Sequence, residues 1–313
     1  MKDVLVTGGA GSIGSEICRQ VIKKGVEKLR ILDNSEFNLH QMETEFVDYD
    51  NVRFLLGDVR DRERIDLAMR GCDAVIHAAA YKHVHFAEMH VPEYIASNII
   101  GTMNVAKACI ESDTVKVAVN ISTDKAANPY TAMGATKLVA EKIWRWAHNV
   151  SWRSGSKRFA SVRFGNVLFS KGSITEKAVA LAKAGEKIPL TDPEMRRFFM
   201  SIEKAVMLVL SATDITGGGE VFVFKMPVVC IKDILEVIND EYGGGGIEII
   251  GRRPGETLEE RLLMPAETRF RETDGMFIVC DRYEERGERE YSTSSEKAIT
   301  KDEIREMIHH VRV

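Results

Sequence analysis

The chain has 313 residues, 44% hydrophobic and 29% charged, with a formal net charge of -4 and a pI near 6.1. That is the size and composition of an ordinary soluble globular protein of one large or two modest domains, and its mild acidity offers no attraction to nucleic acid or to an anionic membrane. Five scattered cysteines (Cys18, Cys72, Cys109, Cys230, Cys280), without a CxxC pair or histidines at ligand spacing, argue against a disulfide framework and against a metal site. With a strand pattern beginning at Asp3, no signal peptide is expected. No apolar run reaches the roughly 20 residues that cross a bilayer, so a cytoplasmic location without a membrane partner is expected.

Residues 3–14 read Asp-Val-Leu-Val-Thr-Gly-Gly-Ala-Gly-Ser-Ile-Gly. The apolar run at 4–6 predicts a strand, and Ile13, Ile17, Val21 and Ile22 mark the buried face of a following helix. The glycines between them let backbone N–H groups approach a pyrophosphate at the helix N-terminus, where the dipole favours anions. Gly8, Gly11, Ser12, Ile13 and Gly14 are therefore candidate cofactor contacts. A second apolar strand, 29–32, ends at Asp33, nineteen residues beyond Gly14. A carboxylate at about that distance, some 20 residues on, bonds the adenosine ribose hydroxyls of a dinucleotide. It also repels the extra phosphate of NADP, and Asn34-Ser35-Glu36 supplies no cation to attract it, so NAD is expected ahead of NADP.

The alternation continues. Residues 52–56 predict a third strand, with Asp58 and Val59 beside the adenine position, and a helix around 65–69 leads to a fourth strand at 74–77. Ala78-Ala79-Ala80 would let the backbone lie against the dinucleotide. The loop Tyr81-Lys82-His83-Val84 offers Lys82 and His83 to a substrate, or is a charged surface turn. A long helix from about 92 to 110 carries Asn98, a further cofactor candidate. The apolar segment 115–121 leads into Ser122-Thr123-Asp124-Lys125, and Met133-Gly134-Ala135-Thr136-Lys137 follows on a helix opening near 131. Polar groups just past the carboxyl end of a parallel strand sit where open α/β sheets bind ligands, and an acid beside a base there suggests proton transfer. The whole pattern predicts an α/β fold with a Rossmann-like, doubly wound parallel sheet.

Beyond a sixth strand at 159–164 the rhythm loosens. Residues 1–165 are read as a dinucleotide-binding domain, joined by a later strand near 220–226, and 166–313 as a smaller C-terminal substrate-binding region. Arg163, Arg197, Arg252 and Arg253 are too sparse for a nucleic-acid patch. They suit a nucleotide diphosphate, whose oxygens accept paired guanidinium donors. The charged stretch 281–290 is expected to be solvated, and a last helix to span 301–310.

Taken together, these segments resemble the extended short-chain dehydrogenase/reductase superfamily, and within it the polysaccharide-biosynthesis branch of UDP-N-acetylglucosamine 4,6-dehydratases. The resemblance rests on residues 6–14, His77-Ala78-Ala79-Ala80 with Lys82-His83-Val84, residues 122–126, Asn128-Pro129, residues 134–137, residues 163–167 and Arg253-Pro254-Gly255-Glu256, and it spans nearly the whole chain. Thr123-Asp124-Lys125 is the signature of the branch, because the related dTDP-glucose dehydratases carry Thr-Asp-Glu there. One position departs from the superfamily: its tyrosine, four residues before Lys137, is Met133 here, and a thioether cannot accept a proton.

The resemblance implies tightly held NAD that is reduced and reoxidised within one turnover. Hydride leaves carbon-4 of a UDP-sugar and returns to carbon-6 after water is lost across carbons 5 and 6. Thr123 would hold the carbon-4 oxygen and Lys137 the nicotinamide ribose. Lys125, with a lowered pKa, would be the carbon-5 base, and Asp124, with a raised one, the acid for the departing hydroxyl. Arg163, Arg197 and Arg253 would bind the diphosphate and Glu256 the uridine ribose, with Lys82, His83 and Asn166 completing the substrate site. The product would serve surface polysaccharide or glycan synthesis, and a homo-oligomer is expected. A UDP-sugar 4-epimerase stays open, although it would leave Asp124 and Lys125 without a role. So does a non-catalytic dinucleotide-sensing protein, which Met133 allows.

Overall fold

The computed structural model describes residues 1–311 except Ser156 and Pro254, with the backbone alone for 152–155. Pro254, part of the 253–256 motif, lies outside the described residues. Six short apolar runs form β1 (Asp3–Thr7), β2 (Lys28–Asp33), β3 (Val52–Leu56), β4 (Ala74–His77), β5 (Val117–Ile121) and β6 (Arg158–Arg163). They pair in parallel in the order β3-β2-β1-β4-β5-β6, the doubly wound Rossmann-like arrangement. Strand order reverses between β1 and β4, so a crevice opens there at the carboxyl ends of the strands. The chain continues through β7 (Asn166–Val167), β8 (Ile188–Leu190), β9 (Arg196–Met200) and β10 (Val221–Phe224). Then come β11 (Val228–Cys230), β12 (Ile247–Ile249), β13 (Arg261–Leu263), β14 (Phe270–Glu272), β15 (Met276–Val279) and β16 (Tyr291–Ser292). β10 extends the main sheet in parallel beside β6, and antiparallel β15 and β14 complete nine strands. Small sheets β11-β9-β7, β12-β8 and β13-β16 lie outside it.

Both faces of the main sheet are covered, which is why its central strands are continuously apolar rather than alternating. The helices are α1 (Ser12–Lys23), α2 (Glu36–Glu45), α3 (Arg62–Met69), α4 (Val84–Met89), α5 (Val91–Tyr94), α6 (Thr102–Glu111), α7 (Ala132–Gly155), α8 (Ile174–Lys183), α9 (Ile202–Ile215), α10 (Ile231–Tyr242) and α11 (Lys301–His310). Val4 and Val6 of β1 pack with Ile17 and Val21 of α1 and Val206 and Val209 of α9. Leu5 faces the other way, among Ile65 of α3, Val105 of α6 and Trp144 of α7. A separate core of Leu168, Phe199, Leu235, Ile238 and Ile304 holds α8, α10 and α11 together. No helix among the described residues is long and apolar enough to cross a membrane.

The helix expected from 92 to 110 is not continuous. α5 opens into a π-helical turn, Ile95–Gly101, before α6 resumes. Such turns insert an extra residue into a helix and re-aim the side chains around it. Here the side chain is that of Asn98, which accepts from Tyr81 N (2.8 Å) and donates to Tyr81 O (3.0 Å) and Thr136 Oγ1 (3.0 Å).

His77 ends β4 with its ring between Thr7 Oγ1 (2.7 Å) and Thr102 Oγ1 (3.0 Å), stacked on Trp144. Burial, with Lys137 nearby, pushes its pKa from 6.5 down to about 3. The unfolded chain therefore takes up a proton at a pH where the folded chain refuses it, so stability should fall as pH drops through the window from 6.5 to about 3. Urea denaturation midpoints measured across that window should slope less steeply for His77→Gln than for the unmodified protein. Equal slopes would remove His77 as the cause.

Candidate functional site

The crevice between β1 and β4 is shaped by missing side chains. Gly8 has φ +65°, and a Cβ there would sit 2.5 Å from Ala79 Cα, while one on Gly14 would collide with Gly8 O. The glycine turn therefore lies against Ala78 and Ala79 because neither side carries bulk. α1 starts at Ser12 without a side-chain cap, which leaves backbone donors of its first turn for an anion. Asp33 stands at the rim, its carboxylate fixed by the N–H groups of Ala10 (3.0 Å) and Ser35 (2.9 Å). Asp58 faces Arg60 (2.7 Å) and Asn34 (3.1 Å). Gly8, Gly11, Asp33, Asp58, Val59, Ala78 and Ala79 line one groove, and Ile13 packs beneath it on the sheet core. This cradle of bare backbone with a carboxylate at its edge fits a dinucleotide.

The second half of the site lies at the end of β5. Thr123 caps a 3-10 turn, Asp124–Ala126, and its hydroxyl donates to Asp124 (2.5 Å). Lys125 Nζ donates to Asp124 (3.0 Å) and to Glu260 (2.8 Å). Arg197 Nε reaches the same Glu260 oxygen (3.0 Å), and Asn166 Nδ2 reaches the other (3.2 Å). Asp124 and Glu260 are buried, while Lys125 keeps 30% of its side chain exposed. A Cβ on Gly134 would sit 2.5 Å from Lys125 O, so α7 presses directly on the turn. Lys137, one helical turn further on, donates to Ile121 O (2.6 Å), and burial lowers its pKa to about 8 against the pull of Glu141.

These contacts correct the expected charge states. Burial opposes ionisation of Asp124, but the Lys125 ammonium and the hydrogen bonds it receives win, and its pKa is lowered to about 2 rather than raised. Burial also works against the Lys125 charge, but the Asp124 and Glu260 carboxylates outweigh it, so its pKa is raised rather than lowered. The acid pushed upward is Glu260, to about 7, by burial and the nearby Asp124 carboxylate. Nothing local in Leu258-Glu259-Glu260-Arg261 separates Glu260 from an ordinary surface glutamate, and no motif points to it.

The expected substrate residues divide. Arg163 does not face the crevice. It is buried, paired with Glu141 (2.7 Å) and Glu267 (2.9 Å) and donating to Leu262 O (2.8 Å), so its donors are occupied and it offers nothing to a diphosphate. Arg197 is likewise engaged, with Glu260 and with Thr257 O (2.7 Å). Arg253 is exposed, in a turn closed by its N–H on Glu256 Oε2 (2.9 Å) and by Glu256 N–H on its carbonyl (3.1 Å). A Cβ on Gly255 would sit 3.2 Å from Thr131, which places this turn beside the start of α7. Lys82 donates to Lys171 O (2.6 Å), His83 lies against Gly172, and Lys171 N–H donates to Ser12 Oγ (2.9 Å). Among the described residues neither Lys82 nor His83 bonds the Asp124–Lys125 cluster. Met133 turns its thioether into an apolar cluster with Ala87 and Tyr94. Tyr130, 68% exposed, pairs with Asn128. No group of three or more His, Cys, Asp or Glu among the described residues is placed to hold a metal ion.

Residues 4–281 match the family described as polysaccharide biosynthesis protein. The chain belongs to that family. It is 40% identical over 99% of its length to an uncharacterized membrane protein of Methanocaldococcus jannaschii, covering 96% of that protein. It is 39% identical over 84% of its length to a UDP-N-acetylglucosamine 4,6-dehydratase (inverting) of Campylobacter jejuni, covering 77% of that enzyme. The X-ray structure of Pen from Bacillus thuringiensis superimposes with a TM-score of 0.92 at 38% identity, covering 99% of this chain and 97% of that one.

In this polysaccharide biosynthesis protein the buried Arg163 network joins the turn after β5, because Ser122 Oγ donates to Glu141 (2.5 Å). Removing one partner of a buried pair strands the other charge. Arg163→Ala should therefore destabilise the fold by about 3–5 kcal/mol in chemical denaturation. A loss below about 1 kcal/mol, the scale of an exposed pair, would contradict the burial of this network.

Proposed function

We propose that this protein is a NAD-dependent nucleotide-sugar 4,6-dehydratase acting on UDP-N-acetylglucosamine, in the synthesis of a surface polysaccharide or glycan. The observation that carries the reading is the buried acid–base cluster of Asp124, Lys125 and Glu260 at the end of β5, beside a dinucleotide cradle. Reversible oxidation at carbon-4 alone, as in an epimerase, gives such a cluster nothing to do. Loss of water across carbons 5 and 6 requires a proton to be taken and another to be given. The name of the Campylobacter relative supports the same substrate and reaction.

Bound NAD would supply the hydride acceptor and donor. The glycine turn holds its pyrophosphate, Asp33 its adenosine ribose, and Lys137 the ribose of its nicotinamide. Asp58, Val59, Ala78 and Ala79 wall the groove, and Asn98 keeps the Tyr81 backbone in place. Thr123 orients the carbon-4 oxygen. Met133 is no base, so the carbon-4 hydroxyl loses its proton elsewhere. With Arg163 and Arg197 committed inside the protein, exposed Arg253, and Arg252 beside it in loose contact with Asp192 (3.5 Å), remain for the diphosphate, and Glu256 takes the uridine ribose. Residues 1–165 with the 220–226 strand bind the dinucleotide, and 166–313 the UDP-sugar.

Incubation with UDP-N-acetylglucosamine should give a 4-keto-6-deoxy product, identified by NMR. A galacto product would mean an epimerase, and no turnover a sensor. Arg253→Ala should raise the dissociation constant for UDP at least tenfold, or ~1.4 kcal/mol, by calorimetry. An unchanged constant would move the nucleotide site elsewhere. The purified protein should bind NAD well ahead of NADP, with Asp33→Ala narrowing the gap. Equal affinity in the unmodified protein would refute the role of Asp33.

A further inference from the structure

Lys125 is no base while it keeps its proton, and two buried carboxylates hold that proton in place. The nearer is Glu260, 2.8 Å from Nζ against 3.0 Å for Asp124. We propose that Glu260 is the proton store of Lys125: it takes the ammonium proton along this hydrogen bond, frees the amine to act as a base, and returns the proton at the end of each turnover. This rests on the dehydratase reading above and adds to it the group that makes Lys125 competent.

Glu260 is faced by Asp124 and Lys125 from the turn after β5, by Arg197 from β9 and by Asn166 from β7, and its own N–H donates to Thr293 Oγ1 (3.0 Å). Lys125 and Arg197 favour its charged form. Burial and the Asp124 carboxylate oppose it and prevail, so Glu260 exchanges its proton near neutrality, with a pKa of about 7. Asp124, at about 2, stays ionised throughout. Of the two carboxylates on Lys125, Glu260 accepts a proton far more readily than Asp124, although at rest the raised pKa of Lys125 keeps the proton on the ammonium.

The protons balance. The Lys125 ammonium and Glu260 carboxylate become an amine and a carboxylic acid: one N–H bond breaks, one O–H bond forms, and the net charge is unchanged. The amine then takes the carbon-5 hydrogen as a proton. The C5–H electron pair becomes the second bond between carbons 5 and 6 as the C6–O bond breaks. The re-formed ammonium protonates the departing hydroxide, which leaves as water, and Glu260 hands its proton back to Lys125. As hydride returns to carbon-6 the ammonium gives carbon-5 its new proton, and a solvent proton, matching the one lost from the carbon-4 hydroxyl, restores Lys125. No oxidant or further reactant is consumed. A purely structural Glu260 would serve only as the counter-ion that ties Arg197 to the 257–260 segment.

Two measurements on the holoprotein separate these roles. The first needs no substrate: the Lys125 15Nζ resonance, assigned by its loss in Lys125→Arg, should shift with a transition near the pKa of about 7 of Glu260. Glu260→Gln, of the same shape, should abolish that transition. Its absence from the unmodified protein, or its persistence in the variant, overturns the proposal whatever the substrate is. The second uses UDP-N-acetylglucosamine in deuterium oxide. Glu260→Gln should slow deuterium entry at carbon-5 by about 30-fold or more, while UDP affinity and the appearance of reduced cofactor in single turnover stay within about twofold. Glu260→Asp should recover part of the rate and the pH dependence. Unimpaired carbon-5 exchange in Glu260→Gln overturns the proposal. An unmodified protein that leaves UDP-N-acetylglucosamine untouched refutes the dehydratase reading instead, and the resonance then decides the role of Glu260.

Discussion

A charge taken out of water has to be answered by another charge or by hydrogen bonds, or it will not stay ionised. Around the end of β5 that demand organises the molecule. Two clusters stand back to back. Behind the turn, Glu141 and Glu267 answer Arg163; in front of it, Asp124 and Glu260 answer Lys125 and Arg197. Both draw the same piece of chain, 257–267, onto the carboxyl edge of the sheet. Leu262 and Leu263 of β13, fully buried between the two glutamates, anchor that piece in the apolar core. The C-terminal segment is therefore a wall of the Asp124–Lys125 pocket.

The cofactor groove obeys a different constraint. There the walls are set by closeness of backbone: the turn at Gly8 and the strand end at Ala79 approach until no Cβ fits between them. A pyrophosphate in such a place meets N–H groups and a helix dipole rather than flexible cations. The two halves of the site thus combine a cradle of bare backbone edged by the Asp33 and Asp58 carboxylates with a densely charged pocket. Asn98 and Thr136 link them, since the amide that holds the Tyr81 backbone also bonds the helix carrying Lys137.

What was legible in the amino-acid order was what is local. β3 and β4 appear as read, because an apolar run between turn residues carries its own boundary. The glycine turn and the place of Asp33 at its rim were legible because a strand–turn–helix unit with so close a backbone approach imposes fixed spacings. The π-helical turn at 95–101 was not, since its periodicity differs from a helix by one residue and the backbone that its Asn98 side chain engages, at Tyr81, lies elsewhere. Nor were the charge states of Asp124 and Lys125. Each depends on Glu260, 135 residues beyond Lys125, and no local pattern marks that partner. Arg163 misled for the same reason: a guanidinium at a strand end looks free until Glu141 and Glu267 are brought to it.

The distance along the chain between Lys125 and Glu260 also sets an order of assembly. A ribosome releases β1 to β6 long before residue 260 exists, and domains generally fold from the N-terminal side first during synthesis. The six strands can pair before then, while Asp124, Lys125 and Arg163 still lack their partners from 260–267. Only when 257–267 arrives does the pocket dry, and closing so long a loop is slow compared with local pairing. The Asp124–Lys125 edge is thus completed from the far end of the chain, and the enclosure of its charges waits on the arrival of 257–267.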